Sequence, residues 1–212
     1  MNHLKGLLGF LLVAALVSLG SAGPVFSRSE AFKENIFPVG QLKPTDSKLK
    51  VKVGGEAPDF TLPSVGGEQV SLRQFLGKKN VVLSFVPAAW TPVCSDQWPG
   101  YNITQGLFEE HDAILLGITV DNIPTLYSWT NQMGRLWFPV LSDFFPHGAV
   151  AARFGVLRTD GTSERALFVI DKKGIIRYID VHDINQRPPP GSPDGGIGKA
   201  GKIKIHAFQS PD

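Results

Sequence analysis

Cys94 carries the most reactive side chain of the 212-residue sequence and is its only cysteine. It lies in the stretch VVLSFVPAAWTPVCSDQ, where a buried strand is predicted to end in a loop that leads into a helix. Ligands and catalytic groups of open α/β sheets gather at the carboxyl ends of strands. Near the first turn of a helix, a thiol meets unpaired backbone N–H groups and the positive end of the helix dipole, which both favour the thiolate. The setting predicts a nucleophilic cysteine; the alternative is a small buried apolar residue.

Two residues that precede Cys94 are predicted to shape its surroundings. Thr91, three residues earlier, can direct its hydroxyl at the sulfur or at a substrate oxygen, and the alternative is a plain turn residue. Pro87 and Pro92 stiffen the loop and remove N–H donors from it. The spacing therefore predicts a rigid loop around a reactive sulfur.

The composition excludes several other kinds of chemistry. A single cysteine cannot form an intramolecular disulfide, a CxxC redox pair, a CxxxC copper site or a multi-cysteine zinc site. The five histidines show no ligand spacing, so we expect neither a metal nor another cofactor. With 21 Lys and Arg against 19 Asp and Glu, and no long basic block, nucleic acid is not an expected partner. An apolar content of 42% and a mean hydropathy near zero fit one globular domain.

The first 22 residues resemble a targeting segment. MNHLK is a short positive region, GLLGFLLVAALVSL is an apolar run, and Gly20-Ser21-Ala22 supplies a small-residue cleavage pattern. The run is shorter than the roughly 20 residues that a membrane span needs. We therefore expect a signal peptide and an exported protein, periplasmic or extracellular; the alternatives are an uncleaved membrane anchor, which would tether the protein, and a buried helix.

The rest of the chain divides into a linker, a domain and a tail. Residues 23–50 are rich in Pro, Ser and Lys without a sustained period, which predicts a linker, and residues 188–212 predict a flexible tail. Between them, 51–187 alternates apolar runs with helical stretches. The predicted strands are VVLSFVP, ILLGITV, FPVLSD, ALFVID and IIRYIDV. The predicted helices are Ser95 to about Glu110, IPTLYSWTNQM and GAVAARFG. Before them, DFTLP and EQVSL are predicted to form an N-terminal hairpin around Gly66-Gly67. This order predicts an α/β fold with a mixed sheet flanked by helices.

The sequence resembles the peroxiredoxins of the alkyl hydroperoxide reductase and thiol-specific antioxidant family. Pro87, Thr91 and Cys94 match the family pattern Pro-x-x-x-Thr-x-x-Cys in full. The resemblance extends over about residues 54–187, from GEAPDFTLPSVGGEQVSL to RALFVIDKKGIIRYIDV and VHDINQRP. It implies a thioredoxin-like fold and allows a homodimer. The family's usual last helix is not evident after Arg187.

The resemblance also implies a role for each candidate residue. Cys94 would be the peroxidatic cysteine and Arg165 the catalytic arginine, with Arg187 as a supporting cation. Gln97 stands where acidic or amide residues commonly follow the cysteine. The plainer interpretations are a strand-edge cation for Arg165 and a solvated tail residue for Arg187.

The peroxide oxygens must be bound more tightly as the O–O bond stretches, because a more acidic thiol alone gives too small a rate gain. The Arg165 guanidinium and the Thr91 hydroxyl are the candidates for this binding, together with backbone N–H groups near Val93 and Cys94. Pro87 would limit water around the sulfenic acid.

These features predict an antioxidant peroxidase that reduces hydrogen peroxide or organic hydroperoxides through a redox-active cysteine. With no second cysteine, an external thiol or a thioredoxin-like reductant would recycle the cysteine sulfenic acid in a one-cysteine mechanism. Two alternatives stay open at this point. One is a non-catalytic thioredoxin-fold binding module, and the other is a membrane-tethered thiol–disulfide exchange protein, for which the missing second cysteine is unfavourable.

Overall fold

The structure is a computed structural model that describes residues 32–186. Its strands are β1 (Thr61–Pro63), β2 (Gln69–Ser71), β3 (Asn80–Phe85), β4 (Ala113–Thr119), β5 (Val140–Ser142), β6 (Arg165–Ile170) and β7 (Ile176–His182). Its helices are α1 (Pro92–Asn102), α2 (Gln105–Glu110), α3 (Ile123–Met133) and α4 (Ala149–Phe154), with a short 3-10 helix at Leu72–Phe75. The predicted leader (1–22) and tail (188–212) lie outside the described residues.

A five-stranded mixed sheet in the order β5-β4-β3-β6-β7 forms the centre of the described domain. β3 pairs in parallel with β4 and antiparallel with β6, and β6 and β7 form the predicted antiparallel hairpin. Every residue of β3 is buried, because helices and loops cover both faces of the sheet. Val81, Leu83 and Phe85 pack into one apolar cluster, and Val82 packs into the other. The predicted α/β fold with a mixed sheet flanked by helices is confirmed.

The N-terminal hairpin also forms as predicted. β1 pairs antiparallel with β2, with Leu62 opposite Val70. Both side chains are buried in the first apolar cluster, where β3 and β6 also contribute. The hairpin therefore covers one face of the sheet.

The helix predicted from Ser95 to Glu110 differs in the structure at its start and in its middle. It begins at Pro92, whose fixed φ suits the first turn, and Thr91 before it is extended. It then stops at Asn102, and α2 begins at Gln105. The Thr104 hydroxyl donates to the Tyr101 carbonyl at 3.1 Å, a local bond of the kind that competes with a continuous helix.

Residues 32–50 fall in the segment predicted as a linker, yet they pack against the domain. We call residues 37–46 the N-terminal arm. The Leu42 N–H donates to Asn185 Oδ1 at 2.8 Å, and Asn185 Nδ2 donates back to the Leu42 carbonyl at 2.8 Å. The Asp46 N–H donates to the buried Glu164 carboxylate at 2.6 Å. Hydrogen bonds between single backbone groups and distant side chains produce no repeating pattern of apolar residues in the sequence. The sequence therefore predicted a linker at the position of the arm.

Gly155 makes room for the chain that follows the arm. It ends α4 with a φ of +79° in the left-handed region, and a Cβ built there would lie 2.3 Å from the backbone of Lys48 and of Lys50. A side chain at this position would therefore collide with the segment that crosses the end of α4.

None of the helices between residues 32 and 186 combines the length and apolar character needed to cross a bilayer.

Candidate active site

The loop between β3 and α1 is held by hydrogen bonds from the neighbouring strand ends. The Val86 N–H donates to the Ile118 carbonyl at 3.1 Å, and the Ala89 N–H donates to Asp121 Oδ2 at 2.8 Å. From the other side, the Ser163 hydroxyl donates to the Val86 carbonyl at 2.9 Å. The loop that carries Pro87 and Thr91 is thus anchored to the chain after β4 and before β6.

Cys94 is the third residue of α1, and only 1% of its surface is exposed. Thr91 immediately precedes the helix, and its hydroxyl donates to the Ala88 carbonyl at 2.9 Å instead of capping the helix. The first helical N–H bond runs from Ser95 to the Thr91 carbonyl at 3.0 Å. The N–H groups of Val93 and Cys94 come before it and have no acceptor within the helix.

Arg165 lies beside the Cys94 sulfur although 71 residues separate the two in the chain. It is the first residue of β6, which pairs with β3, so the sheet brings it to the edge where α1 begins. Its Nη2 lies 3.6 Å from Cys94 Sγ and also donates to the Ile184 carbonyl at 3.1 Å, while Nη1 donates to Gln97 Oε1. The side chain is 2% exposed, so its charge acts with little screening by water.

Gln97 links this guanidinium to a buried tyrosine. Its Oε1 accepts from Arg165, and its Nε2 donates to the Tyr101 hydroxyl oxygen at 3.1 Å. Burial raises the pKa of Tyr101, so the phenol stays protonated. The spacing of residues in the sequence did not predict the hydrogen bond between Gln97 and Tyr101.

One donor of Arg165 is unused. Among the described residues, the buried Nε has no hydrogen-bond acceptor. A buried N–H without a partner is costly, so the rest of the fold must offset this cost.

A cavity of about 500 Å³ contains the predicted site. The sequence-predicted residues Pro87, Thr91, Val93, Cys94 and Arg165 all line it. Arg187, the predicted supporting cation, lies outside the described residues. Within residues 32–186, no group of three or more His, Cys, Asp or Glu side chains is arranged to hold a metal ion.

The sequence interpretation missed two further parts of the wall. Residues 37–42 of the N-terminal arm line the cavity, and so do Ile184 and Asn185 after β7. Ile184 contacts both sides of the site, since its carbonyl accepts from Arg165 and its N–H donates to the Pro44 carbonyl at 3.1 Å. A main-chain role of this kind is independent of the side chain and leaves no mark in the sequence.

Comparisons with known proteins find similar sequences and similar folds. The AhpC/TSA family matches residues 53–179. Alkyl hydroperoxide reductase E of Mycobacterium tuberculosis is 41% identical over 132 residues, which cover 62% of this chain and 86% of that protein. A chloroplastic 2-cysteine peroxiredoxin of Chattonella marina var. antiqua is 32% identical over 146 residues, covering 65% of this chain and 74% of that protein. The reduced 2-Cys peroxiredoxin of Plasmodium vivax superposes with a TM-score of 0.63 at 28% identity, covering 74% of this chain and 80% of that one.

Proposed function

This chain belongs to the AhpC/TSA family of peroxiredoxins and is a thiol-dependent peroxidase, and on that premise we propose that Cys94 attacks the peroxide in a one-cysteine cycle. The observation that carries the proposal is the approach of Arg165 Nη2 to within 3.6 Å of the Cys94 sulfur at the wall of the cavity. The relatives do not favour the two other interpretations, a non-catalytic binding module and a thiol–disulfide exchange protein.

The Cys94 thiolate attacks one oxygen of the hydroperoxide, so that an S–O bond forms as the O–O bond breaks. Sulfur is oxidised to the sulfenic acid and keeps the attacked oxygen with its proton. The other oxygen takes up the proton that the thiol released when it ionised, and leaves as an alcohol or as water. Negative charge moves onto this leaving oxygen, and the Arg165 guanidinium, whose Nη2 lies beside the sulfur, would stabilise it.

Thr91 and the start of α1 would orient the peroxide. Because the Thr91 hydroxyl donates its hydrogen bond to the Ala88 carbonyl, its oxygen can accept a hydrogen bond from the hydroperoxide O–H. The Val93 and Cys94 N–H groups can donate to a peroxide oxygen from the other side. Pro87, in the cavity wall, adds no N–H that would hold water near the sulfur. Arg187 remains a predicted supporting cation.

An external thiol completes the cycle in this proposal. Several relatives are named 2-Cys peroxiredoxins, whereas this sequence holds one cysteine. A first thiol would displace the sulfenic oxygen as water and form a mixed disulfide with Cys94. A second thiol, from the same reductant or from another molecule, would then release Cys94 and leave the reductant as a disulfide.

A single-turnover titration tests the one-cysteine cycle. Without a thiol, the reduced protein should consume one equivalent of peroxide per chain and then stop, with Cys94 trapped by dimedone as the sulfenic acid. Added dithiothreitol should restart peroxide consumption, and the Cys94→Ser chain serves as the blank. Stoichiometric formation of a disulfide-linked dimer on a non-reducing gel would show instead that two copies of Cys94 resolve each other.

We also propose that the reaction takes place outside the cytoplasm, which rests on the leader pattern in residues 1–22. Protein from the native host should then begin near Gly23 and be recovered from the periplasm or the medium. N-terminal sequencing of each cell fraction measures this, and a soluble cytoplasmic form with Met1 intact would contradict it.

A further inference from the structure

The N-terminal arm supplies a wall of the cavity that the family match does not include. Residues 37–42 lie before residue 53, where the match to the family begins, yet they line the same space as Cys94 and Arg165. The wall that they form therefore lies outside the matched residues 53–179.

The cavity is much larger than hydrogen peroxide. A water molecule occupies about 30 Å³ in the liquid, and hydrogen peroxide has only one more heavy atom. The cavity of about 500 Å³ instead lies in the range of sites that enclose small organic ligands. Most of this volume would hold only solvent when hydrogen peroxide is the substrate.

The arm presents apolar surface that the rest of residues 32–186 leaves uncovered. Phe37 is 67% exposed and Val39 is 38% exposed, and both line the cavity. Pro38 and Leu42 of the arm, with Pro92, Val93 and Ile184 of the opposing elements, extend the apolar lining. An apolar group bound here would remove these side chains from water, which is favourable.

Two polar side chains of the lining, Asn185 and Asp160, already have partners within the protein. The Asn185 side chain is bonded at both ends to the Leu42 backbone. The Asp160 carboxylate accepts from Thr162 at 2.7 Å and from Arg158 at 3.4 Å. With these groups satisfied, the part of the cavity away from Arg165 favours an apolar ligand over a polar one.

The arm is held in place without a ligand. At one end the Phe37 N–H donates to the Trp90 carbonyl at 2.7 Å, and at the other end Leu42 is bonded to Asn185. Trp90 adopts the left-handed region with a φ of +60°, which is rare for a bulky residue and aims its carbonyl at the arm. Because the arm is already in position, substrate binding carries no entropic cost of ordering it.

We propose that the arm makes this peroxidase selective for uncharged organic hydroperoxides with a bulky apolar group, which Phe37 and Val39 contact. The inference rests on the proposed function, in which Cys94 attacks the peroxide. The hydroperoxide group lies at Cys94 and Arg165, and the apolar group extends along residues 37–42. Hydrogen peroxide reaches the same sulfur but gains nothing from the arm.

Stopped-flow rates of Cys94 oxidation by cumene hydroperoxide and by hydrogen peroxide test the proposal. The native chain should react faster with cumene hydroperoxide. In Phe37→Ser/Val39→Ser the ratio of the two rate constants should fall about tenfold, the effect of about 60 Å² of lost apolar contact, while the hydrogen peroxide rate stays within threefold. Tyr127→Ser on α3 is the matched control, because it removes a similarly exposed aromatic ring away from the cavity.

The possible outcomes separate the two proposals. If the native chain reduces both peroxides but the ratio does not change in the double variant, the arm does not select the substrate and only this inference fails. An equal fall in both rates would also overturn it, since the arm would then act on the sulfur chemistry. If neither peroxide oxidises Cys94 faster than a free thiol, the proposed function fails, and the selectivity with it.

Discussion

Replacing Arg165 with Lys should slow the oxidation of Cys94 by peroxide about 10- to 1000-fold, which is the loss of a transition-state contact worth roughly 1.4 to 4 kcal/mol. The guanidinium holds Gln97, Ile184 and the Cys94 sulfur at once with its two Nη atoms. A lysine ammonium keeps the positive charge, but it is a single point on a flexible chain and cannot replace the planar fork. The Nε donor disappears as well.

The measurement is the second-order rate constant of Cys94 oxidation, with circular dichroism to establish that the variant is folded. Arg73→Lys is the matched control, because Arg73 is exposed, pairs with Asp59 and does not line the cavity. Its rate should equal that of the native chain. If the folded Arg165→Lys chain reacts within threefold of the native rate, Arg165 has no part in the transition state.

Exchanging Glu164 for Gln should lower the free energy of unfolding by about 3 kcal/mol. Glu164 is fully buried, and its carboxylate accepts from Arg158 Nη1 at 2.7 Å. The variant leaves the buried Arg158 charge without this partner, a change that typically costs about 3 to 5 kcal/mol. The lower end applies because Asp160 still lies 3.4 Å from Arg158.

Urea unfolding of the native and variant chains gives this difference. Asp112→Asn is the control, since Asp112 forms half-exposed ion pairs with Lys79 and Lys172 whose loss should cost less than about 1 kcal/mol. Adding Arg158→Met to Glu164→Gln removes the unpaired charge, so the double variant should be more stable than Glu164→Gln alone. If the free energy of unfolding falls equally in the Glu164 and Asp112 variants, the buried Glu164–Arg158 pair contributes no more to stability than an exposed pair.

The buried strands could be predicted from the sequence because burial on both faces requires long apolar runs. β3, β4 and β6 are such runs, and the structure places all three at the centre of the sheet. The start of α1 was harder to predict, since Pro92 can both end a loop and begin a helix. The arm could not be predicted at all, because scattered hydrogen bonds to residues far along the chain hold it.

The active site was predictable to the extent that it is local. Pro87, Thr91, Val93 and Cys94 lie within eight residues, and the order of strand, loop and helix already places them together. The partnership of Cys94 with Arg165 depends on the pairing of β3 with β6, which periodicity does not specify. Its prediction came from the resemblance to the family. Ile184 contributes a carbonyl and an N–H, which any residue could supply, so its side chain gave no signal.

The N-terminal arm is synthesised well before most of its hydrogen-bond partners. Leu42 and Asn185 are 143 residues apart, and Asp46 and Glu164 are 118 residues apart. A chain emerging from the ribosome can pair β3 with β4 and form α1 while the arm has only the Trp90 carbonyl to bind. Closing so long a loop also carries a larger entropic cost than the local contacts do. The arm wall of the Cys94 cavity is therefore among the last parts of the domain to form during synthesis.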